Sequence, residues 1–455
     1  MKTLTANTLP KAIAQQLEKI DNKTAKVGVI GLGYVGLPLS LLFSEAGFTV
    51  KGFDIDARKV DQLEKGVSYI FRIPSTDIEL AREHGFSATT NFAELTAQDV
   101  IILCVPTPLT SHREPDLSFI RDTATAIAPW LRPDQLVVLE STTYPGTTEE
   151  VLIPILNAGS RDGLTASTKD EGDQGDVFYV AFSPEREDPG NNTVARRDIP
   201  KVVGGHDRVA STLASALYGS IFNKVVNVSS TQAAEMTKLL ENIYRCVNIA
   251  LVNELKLLTL RMGMDVWEVI EAASTKPFGF QAFYPGPGLG GHCIPIDPFY
   301  LSWKAREWDF HTRFIELAGE INEAMPRFVV QSVGEALNRQ RKSLNGARIL
   351  VLGIAYKKDI DDLRESPSLE IIELLQREQA LVDYNDPYFP TVGRGRHYDL
   401  GMTCVPIEAV PEYDCVLIAT DHSDYDYAAI VESAKLVVDS RNATRGIVSS
   451  KIVHC

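Results

Sequence analysis

The chain has 455 residues, and a protein of this length usually folds as about two or three domains. Its hydrophobic (44%) and charged (23%) fractions are those of an ordinary globular protein. The net charge of −15 argues against a surface for nucleic acid or anionic membrane, and we expect neither partner. The N-terminal segment lacks the apolar core of a signal peptide, and no apolar run reaches the roughly 18 residues of a membrane span. The expected compartment is therefore the cytoplasm.

Strands and helices alternate in the first part of the chain. Apolar runs predict strands over 26–30 and 49–54, with a helix over 37–46 between them, which is a βαβ unit. The alternation continues with strands over 100–105, 136–140 and 177–182 and a helix over 116–130. This pattern predicts a parallel sheet covered by helices. The polar, glycine-rich segment 157–176 is expected to be a surface loop.

The middle of the chain is helical, and the last third returns to alternation. Residues 231–262 form a long helical pattern without Gly or Pro, and further helices are predicted over 266–273 and 314–323. The last third predicts strands over 348–353, 381–384, 415–420 and 436–439 and a helix over 368–376. The expected fold is α/β, with two Rossmann-like doubly wound domains joined by a helical middle domain that has a long central helix.

A G-x-G-x-x-G fingerprint occupies Gly31–Gly36, between the first strand and its helix. In this motif the first Gly makes a tight turn, the second admits a pyrophosphate and the third packs the helix on the strand. Asp54 ends the next strand, where a carboxylate accepts hydrogen bonds from a ribose 2′-hydroxyl and repels a 2′-phosphate. NAD is therefore favoured over NADP, although the basic Arg58 nearby leaves NADP open. The predicted cofactor-binding residues of this segment are Gly31, Gly33, Tyr34, Val35, Gly36, Asp54 and Arg58.

Cys293 lies in the sequence PGPGLGGHCIPID, which spans residues 285–297. Its glycines and prolines exclude a regular helix or strand and favour a rigid loop that lies close to a ligand. His292 and Asp297 could tune or assist a thiolate. The other five cysteines lie in apolar strands, a helix or the terminus, where a buried small side chain is the usual interpretation. The spacing of the cysteines favours neither a disulfide framework nor a zinc site, and we expect no metal.

Polar residues on the long helix and at strand ends are further candidates. Lys238 and Asn242 share one helical face, which is either a solvated stripe or a pair that stabilises an oxyanion and orients a water. Glu185, after a strand, is either a general base or an ordinary loop carboxylate. Thr107 and Thr142 follow two other strands and could line a cofactor. In the last third, the candidates for phosphate contacts are Lys357, Arg364 and Arg441.

Taken together, these segments resemble the UDP-sugar 6-dehydrogenase family. The resemblance runs in order from about Lys26 to Arg441 through GYVGLPL, STTYPGT, SPE, the helix with Lys238 and Asn242, GGHCIPIDP and LGIAYKKDIDDLRESP. It implies an NAD-binding domain (1–212), a helical dimerising domain (213–328) and a UDP-sugar-binding domain (329–455). A homodimer or higher homo-oligomer is expected.

The resemblance also implies the reaction. The C6 alcohol of a UDP-sugar is oxidised to a carboxylate by two NAD⁺, through a thiohemiacetal and a thioester on Cys293. Lys238, or a water held by Asp297, is the first base; Glu185 or Asp297 activates the hydrolytic water, and Lys238 with Asn242 stabilises the oxyanion. Thr142 completes the expected catalytic set, and Thr107, Thr142 and Arg364 join the cofactor contacts. The expected substrate-binding residues are Glu185, Arg186, Lys238, Asn242, Tyr284, Gly286, Gly288, Gly290, Lys357 and Arg441.

One departure bears on the substrate. In the UDP-glucose members of the family, the first Glu is followed by a sequence like F-L-A-E, which places a second Glu four residues later. Here Glu185 is followed by Arg-Glu-Asp-Pro, so this second carboxylate is absent or moved to Glu187 or Asp188. The sequence around Glu185 and the segment KPFGFQAFYPG, which begins at Lys276, resemble the N-acetylhexosamine branch of the family. UDP-N-acetylglucosamine is therefore the expected substrate. UDP-N-acetylmannosamine and UDP-glucose are the alternatives.

Two other functions compete with this one. A two-electron hydroxyacid or phosphogluconate-type dehydrogenase needs no cysteine and lacks the second α/β unit. A non-catalytic module that binds NAD or a nucleotide sugar would show no turnover despite tight binding.

Overall fold

The computed structural model describes residues 10–70, 72–110, 114–168, 176–186, 194–291, 294–395 and 398–455. The chain divides into two compact units, Met1–Glu241 with Arg306–Trp308 (unit 1) and Asn242–Ala305 with Asp309–Cys455 (unit 2). The described helices are α1 Lys11–Asp21, α2 Gly36–Glu45, α3 Ala57–Glu64, α4 Ser75–Glu83, α5 Ser118–Ile127, α6 Ile153–Gly159, α7 Arg208–Gly219, α8 Thr231–Met262, α9 Val266–Ser274, α10 Asp297–Ala305, α11 Arg313–Arg339, α12 Pro367–Arg377 and α13 Tyr427–Ser433.

The described strands form two main sheets and one hairpin. They are β1 Lys26–Ile30, β2 Thr49–Phe53, β3 Ser87–Thr89, β4 Val100–Leu103, β5 Leu136–Leu139, β6 Thr165–Ala166, β7 Val177–Phe182, β8 Lys201–Gly205, β9 Val225–Asn227, β10 Arg348–Leu352, β11 Leu381–Asn385, β12 Thr391–Arg394, β13 Asp399–Thr403, β14 Cys415–Ile418, β15 Val437–Asp439 and β16 Ile452–His454.

The sheet of unit 1 has the order β3-β2-β1-β4-β5-β7-β8-β9, and β6 also pairs with β7. All its pairings are parallel except that of β7 with β8. Successive strands are added to one side of β1 up to β3 and to its other side from β4 onward, and ligands of doubly wound sheets bind in the crevice at such a switch point in the strand order. The buried strands are continuous apolar runs because helices cover the sheet, and their side chains join those of α1, α2 and α7 in one core.

The main sheet of unit 2 is fully parallel, in the order β11-β10-β14-β15-β16. Its switch point lies between β10 and β14. Strands β12 and β13 form a separate antiparallel hairpin. The helices that the sequence predicted for the middle of the chain, α8, α9 and α11, are present, and α10 is a further helix that was not predicted. The expected α/β class with a long central helix is confirmed. The domain boundaries after residues 212 and 328 stay predictions.

Two predicted elements were wrong in extent. The predicted surface loop 157–176 contains the end of α6 and the strand β6, and Ala166 and Ser167 are buried. The Asn157 side chain accepts a hydrogen bond from the Ala166 N–H (2.8 Å), so a polar segment is folded back locally. The helix predicted over 314–323 extends to Arg339, and the buried Pro326 lies inside it. A proline inside a helical pattern predicts a stop, but here the flanking apolar stripe is buried strongly enough to continue the helix.

Candidate active site

The glycine turn of unit 1 lies at the switch point, directly after β1. Gly31 has a φ of +88°, and its N–H donates to the Phe53 carbonyl at 2.8 Å. A Cβ at Gly31 would lie 2.5 Å from the Cys104 carbonyl oxygen, and a Cβ at Gly36 would lie 2.0 Å from the Gly31 oxygen. Gly33 differs, because nothing lies within 4 Å of its Cβ position. The turn is therefore tightly packed at its two ends and open in the middle, where a pyrophosphate would approach.

Asp54 is buried beside this turn. Its Oδ2 accepts the Leu32 N–H at 3.0 Å and its Oδ1 accepts the Asp56 N–H at 2.9 Å, so the carboxylate is fixed against the glycine turn. Arg58 points its guanidinium at Asp56 (3.0 Å) with 89% of its side chain exposed, and this hydrogen bond lowers the pKa of Asp56. The basic residue that left NADP open is thus paired with Asp56. The open glycine and the fixed carboxylate fit the pyrophosphate and ribose of NAD.

Two neighbouring strand ends adjoin this turn. The Ser141 hydroxyl donates to the Val105 carbonyl at 2.7 Å, which ties the segment after β5 to the segment after β4. Thr107 is buried, and Thr142 is partly buried. The Thr142 hydroxyl has no hydrogen-bond partner among the residues that the structure describes. Thr142 therefore remains a candidate for contact with a ligand.

Lys238 and Glu185 are brought together in unit 1. Lys238 is 6% exposed, and its ammonium group donates to the Glu185 carbonyl oxygen. Arg186 forms a two-point ion pair with Glu241 (2.6 and 3.3 Å) and donates to the Pro200 carbonyl at 2.6 Å. The solvated-stripe alternative for this face of α8 is wrong at Lys238, because a solvated lysine would not be buried on a backbone carbonyl.

A buried ion network behind Glu185 was not predicted. The Lys201 ammonium lies 2.9 Å from Glu140 Oε2 and 3.6 Å from Glu185 Oε2, and the Tyr218 hydroxyl donates to Glu140. Burial raises the pKa of Glu140, while the Glu140 and Glu185 carboxylates outweigh burial and raise the pKa of Lys201. The position of Glu140, directly after β5, was the one feature of the sequence that could have indicated this network, since acids that follow strands often face a site. No pattern linked it to Lys201, 61 residues away.

Glu235 was also missed, although it is completely buried on α8. Its carboxylate accepts hydrogen bonds from the Gly146 N–H (2.6 Å), the Thr148 N–H (2.9 Å) and the Thr148 hydroxyl (2.7 Å). It therefore anchors the segment that follows Thr142 to the helix that carries Lys238. Burial raises the pKa of Glu235 to about 7, although these three hydrogen bonds lower it.

Asn242 and Asp297 are brought together in unit 2. Both are buried, and the Asn242 amide nitrogen donates to Asp297 Oδ2 at 2.5 Å. Asp297 is the first residue of α10, where the helix dipole favours a carboxylate. The second N–H of the Asn242 amide makes no hydrogen bond with any residue that the structure describes.

The glycines of the loop 284–291 allow close approach to neighbouring side chains of unit 2. A Cβ at Gly286 would lie 2.7 Å from Arg441 Nη1, one at Gly288 would lie 2.8 Å from Pro367 Cβ, and one at Gly290 would lie 2.4 Å from Tyr356 Cβ. Tyr284 stacks on Trp267 with the ring planes 14° apart. The loop backbone thus lies close to protein side chains. The approach to a ligand that the sequence predicted for this loop stays a prediction.

Unit 2 repeats the glycine turn of unit 1. Gly353 has a φ of +79°, donates to the Asn385 carbonyl at 2.9 Å and would place a Cβ 2.4 Å from the Thr420 oxygen. Asp386 accepts the Ile354 N–H at 2.7 Å, as Asp54 accepts that of Leu32. Here, however, the buried His422 contacts the carboxylate at 3.1 Å, and the second and third glycines of the fingerprint are absent. The second crevice therefore lacks the dinucleotide fingerprint.

The three basic residues of unit 2 that the sequence predicted as phosphate contacts differ in their surroundings. Lys357 is partly buried. Arg364 forks onto Asp362, with the closest contact at 2.6 Å, and its carbonyl accepts the Gly291 N–H. Arg441 donates through Nε to the Ala419 carbonyl at 2.9 Å.

Cys293 and His292 lie outside the described residues, as do Glu187 and Asp188. Among the described cysteines, burial raises the pKa of Cys104, Cys246 and Cys415, and that of Cys455 to about 11. These four thiols would resist forming the thiolate that a nucleophile requires. The assignments of catalytic and binding residues, Cys293 included, stay predictions.

The doubly wound sheet, the open glycine turn and the fixed Asp54 define a dinucleotide-binding protein of the dehydrogenase type. Comparison with known proteins gives the family. The NAD-binding domain of the UDP-glucose/GDP-mannose dehydrogenase family matches residues 25–222, its central domain 232–324 and its UDP-binding domain 350–446. The chain belongs to the UDP-glucose/GDP-mannose dehydrogenase family, and it is an NAD-dependent UDP-sugar dehydrogenase.

The chain is similar to two relatives over nearly its whole length. It is 35% identical to UDP-N-acetyl-D-glucosamine 6-dehydrogenase of Pseudomonas aeruginosa, over 89% of this chain and 92% of that protein. It is 36% identical to UDP-N-acetyl-D-mannosamine dehydrogenase of Pyrococcus horikoshii, over 92% and 95%. The structure of the UDP-D-ManNAc dehydrogenase from Pyrococcus horikoshii superposes with a TM-score of 0.82, covering 94% of this chain and 98% of that one. No helix in the described part of the chain is long and apolar enough to cross a membrane.

Proposed function

We propose that the enzyme oxidises the C6 alcohol of a UDP-N-acetylhexosamine, preferably UDP-N-acetylglucosamine, to the uronic acid. The similarity to an N-acetylglucosamine enzyme and an N-acetylmannosamine enzyme supports the N-acetylhexosamine class. The segment KPFGFQAFYPG and the absence of a second Glu four residues after Glu185 favour an N-acetylhexosamine substrate over UDP-glucose. UDP-N-acetylmannosamine is the second candidate, since its enzyme is equally similar.

The observation that carries the proposal is the buried hydrogen bond between Asn242 and Asp297. The Asn242 amide fixes the orientation of the buried Asp297 carboxylate at the start of α10, and Asp297 lies four positions after Cys293 in the sequence. Lys238 precedes Asn242 by one turn of α8, so the two residues share one face of that helix.

In the proposed reaction, Lys238 or a water held by Asp297 takes the proton of the C6 hydroxyl. NAD, when bound, supplies the hydride acceptor for each of the two oxidations. The Cys293 thiolate adds to the aldehyde carbon to give a thiohemiacetal, and the second oxidation converts this adduct to a thioester. Lys238 and the free Asn242 N–H stabilise the oxyanion. Glu185 or Asp297 then takes a proton from the water that displaces the Cys293 sulfur and releases the carboxylate.

The test is NADH release from UDP-N-acetylglucosamine, UDP-N-acetylmannosamine, UDP-N-acetylgalactosamine and UDP-glucose. We expect two NADH per sugar and the highest kcat/KM for UDP-N-acetylglucosamine. Cys293→Ser should abolish net NADH production and leave NAD binding unchanged, whereas Cys246→Ser, a buried control, should remain active.

A different ranking of the four sugars would reassign the substrate. One NADH per sugar, or an active Cys293→Ser variant, would overturn the covalent four-electron reaction. Tight binding of NAD and UDP-sugar without any NADH would point to a non-catalytic module.

We also propose that the enzyme is a homodimer or a higher homo-oligomer. Four large apolar side chains lie exposed along one stripe of α8, with 39–61% of each accessible: Leu251, Leu255, Leu258 and Met262. Their spacing places them on one helical face, and apolar stripes of this kind usually contact another chain. A second copy is the simplest partner, because a two-fold axis pairs the stripe with itself.

A further inference from the structure

Lys201 is a buried lysine of β8 that the proposed reaction does not use. Only 2% of it is exposed. Its ammonium nitrogen lies 2.9 Å from Glu140 Oε2 and 3.6 Å from Glu185 Oε2, and the ring centres of Tyr218 and Phe222 lie 5.0 and 5.5 Å from it. All five residues belong to unit 1. Two carboxylates therefore share one buried cation that two aromatic rings also contact.

The two carboxylates differ in their access to solvent. The Glu140 side chain is completely buried, and its Oε1 accepts the Tyr218 hydroxyl while its Oε2 faces Lys201. The Glu185 side chain is 19% exposed, and its Oε1 accepts the Arg186 backbone N–H at 2.7 Å. A water molecule can therefore reach the Glu185 carboxylate, whereas Lys201 and Glu140 act on that carboxylate from the protein interior.

Two other titratable groups near this network stay neutral. Burial and the Glu140 carboxylate raise the pKa of Cys104 well above its ordinary value, and they raise the pKa of Tyr218 in the same way. A buried thiol and a buried phenol of this kind carry no charge near neutral pH. The charges of the network are therefore those of Lys201, Glu140 and Glu185.

The other charged groups around Glu185 lie on its own segment and on α8. The Lys238 ammonium group donates to the backbone carbonyl of Glu185, and the Arg186 guanidinium pairs with Glu241 at 2.6 Å. Lys201 is the described cation that pairs with the Glu185 carboxylate itself. A change of charge at Lys201 should therefore be felt directly by that carboxylate.

We propose that Lys201 is a positioning residue for thioester hydrolysis, because its ammonium group holds the Glu185 carboxylate ionised and in place to take a proton from the attacking water. This inference rests on the proposed function, and it assigns the water to Glu185 where Asp297 was the alternative. In this step the water oxygen bonds to the thioester carbon and its proton passes to Glu185. The bond from that carbon to the Cys293 sulfur breaks, and the sulfur leaves with the electron pair. Lys201 favours the ionised form of Glu185 and Glu140 opposes it, since like charges repel.

The test is the pH dependence of kcat for UDP-N-acetylglucosamine in the wild type and two variants. Lys201→Met removes the charge that favours the ionised base, so the acid limb of the profile should move to higher pH by about 0.5 to 1 unit. Glu140→Gln removes the opposing charge, so the limb should move to lower pH by a similar amount. A purely structural role would not give shifts of opposite sign. Lys224→Met, which removes an exposed charge next to the backbone of Lys201, is the matched control and should leave the profile unchanged.

A second measurement follows the covalent intermediate. The enzyme is mixed with NAD⁺ and UDP-N-acetylglucosamine at a pH on the acid limb and quenched with acid, and the mass of the intact chain gives the fraction acylated on Cys293. Lys201→Met should be acylated to a larger fraction than the wild type, because hydrolysis slows more than the two oxidations. If Lys201→Met does not fold, it is combined with Glu140→Gln, which leaves no buried ion unpaired. The acid limb of this double variant should lie at higher pH than that of Glu140→Gln alone.

Shifts of the same sign, or a kcat that falls equally at every pH, would show that Lys201 only supports the structure, and this would overturn the proposal. Unshifted profiles in both variants would overturn it as well. Either outcome leaves the proposed function standing when the wild type releases two NADH per sugar. A wild type that releases no NADH from any UDP-sugar would refute the proposed function and, with it, this role of Lys201.

Discussion

Gly33 and Gly36 belong to one fingerprint, but the structure surrounds them differently. The Cβ position of Gly36 overlaps the Gly31 carbonyl oxygen, whereas that of Gly33 is open. The sequence motif treats both as required. The three-dimensional surroundings distinguish Gly36, which the fold needs, from Gly33, which leaves room for a ligand.

This difference predicts opposite effects of a single added methyl group. Gly36→Ala should lower the Tm by several degrees, because a backbone oxygen cannot move aside without distorting the turn, at a cost of about 1–3 kcal/mol. Gly33→Ala should leave the Tm within about 1–2 °C of the wild type and weaken NAD binding at least about tenfold. Thermal melting and NAD titration of both variants check this. Normal NAD affinity in Gly33→Ala would contradict the placement of the pyrophosphate.

At the scale of elements, the long helix α8 carries several of the candidate residues. Glu235 ties it to the segment before α6, Lys238 to Glu185, Asn242 to Asp297, and Lys256 to Ser440. Two of these contacts, those of Glu235 and Lys238, lie in unit 1, and the other two lie in unit 2. A uniform helical pattern in the sequence predicts the helix but none of these four attachments.

The Glu235 attachment predicts a pH-dependent stability. Its pKa of about 7 in the folded protein lies above the ordinary value of 4.5, so the folded state holds this proton more tightly than the unfolded state. The stabilisation is complete below about pH 4.5, falls as the pH rises, and is lost above about pH 7, a change of about 3 kcal/mol. Glu235→Gln does not titrate, so relative to the wild type it should gain stability between pH 5 and pH 8.

Urea unfolding of both proteins at several pH values measures this difference, and other titrating groups cancel in the comparison. Glu254→Gln, on an exposed position of the same helix, is the control and should follow the wild type. Parallel curves for wild type and Glu235→Gln would show that the three hydrogen bonds keep the carboxylate ionised at all these pH values.

At the scale of the whole molecule, the two units share a similar glycine turn but belong to domains that bind different ligands. Both have a glycine with positive φ after the first strand and an acid that accepts the next N–H. In unit 1 the turn continues through an open Gly33, which suits a dinucleotide. In unit 2 the acid is covered by His422 and the loop continues with Ile354 and Ala355. The family assigns these units to NAD and UDP binding, respectively.

The exposed stripe of α8 predicts the oligomeric state. Leu255→Glu combined with Leu258→Glu should convert a dimer to a monomer, because burying two carboxylates in an apolar interface costs several kcal/mol. Light scattering after gel filtration measures the mass. The control pair is Glu254→Gln with Arg261→Gln, which are exposed on the same helix and should keep the assembly. A double-Glu variant that stays dimeric would place the interface elsewhere.

The local patterns of the chain determined the order of strands and helices, the glycine turn with Asp54, and Lys238 and Asn242 on one face of α8. These depend on residues within a few turns of each other, whose spacing is visible in the sequence. The tertiary structure alone decided that Lys201 pairs with Glu140, that Glu235 holds the segment 146–148, and that Lys256 donates to Ser440. These partners lie far apart in the chain, and the topology of the sheets, which no local spacing encodes, brings them together.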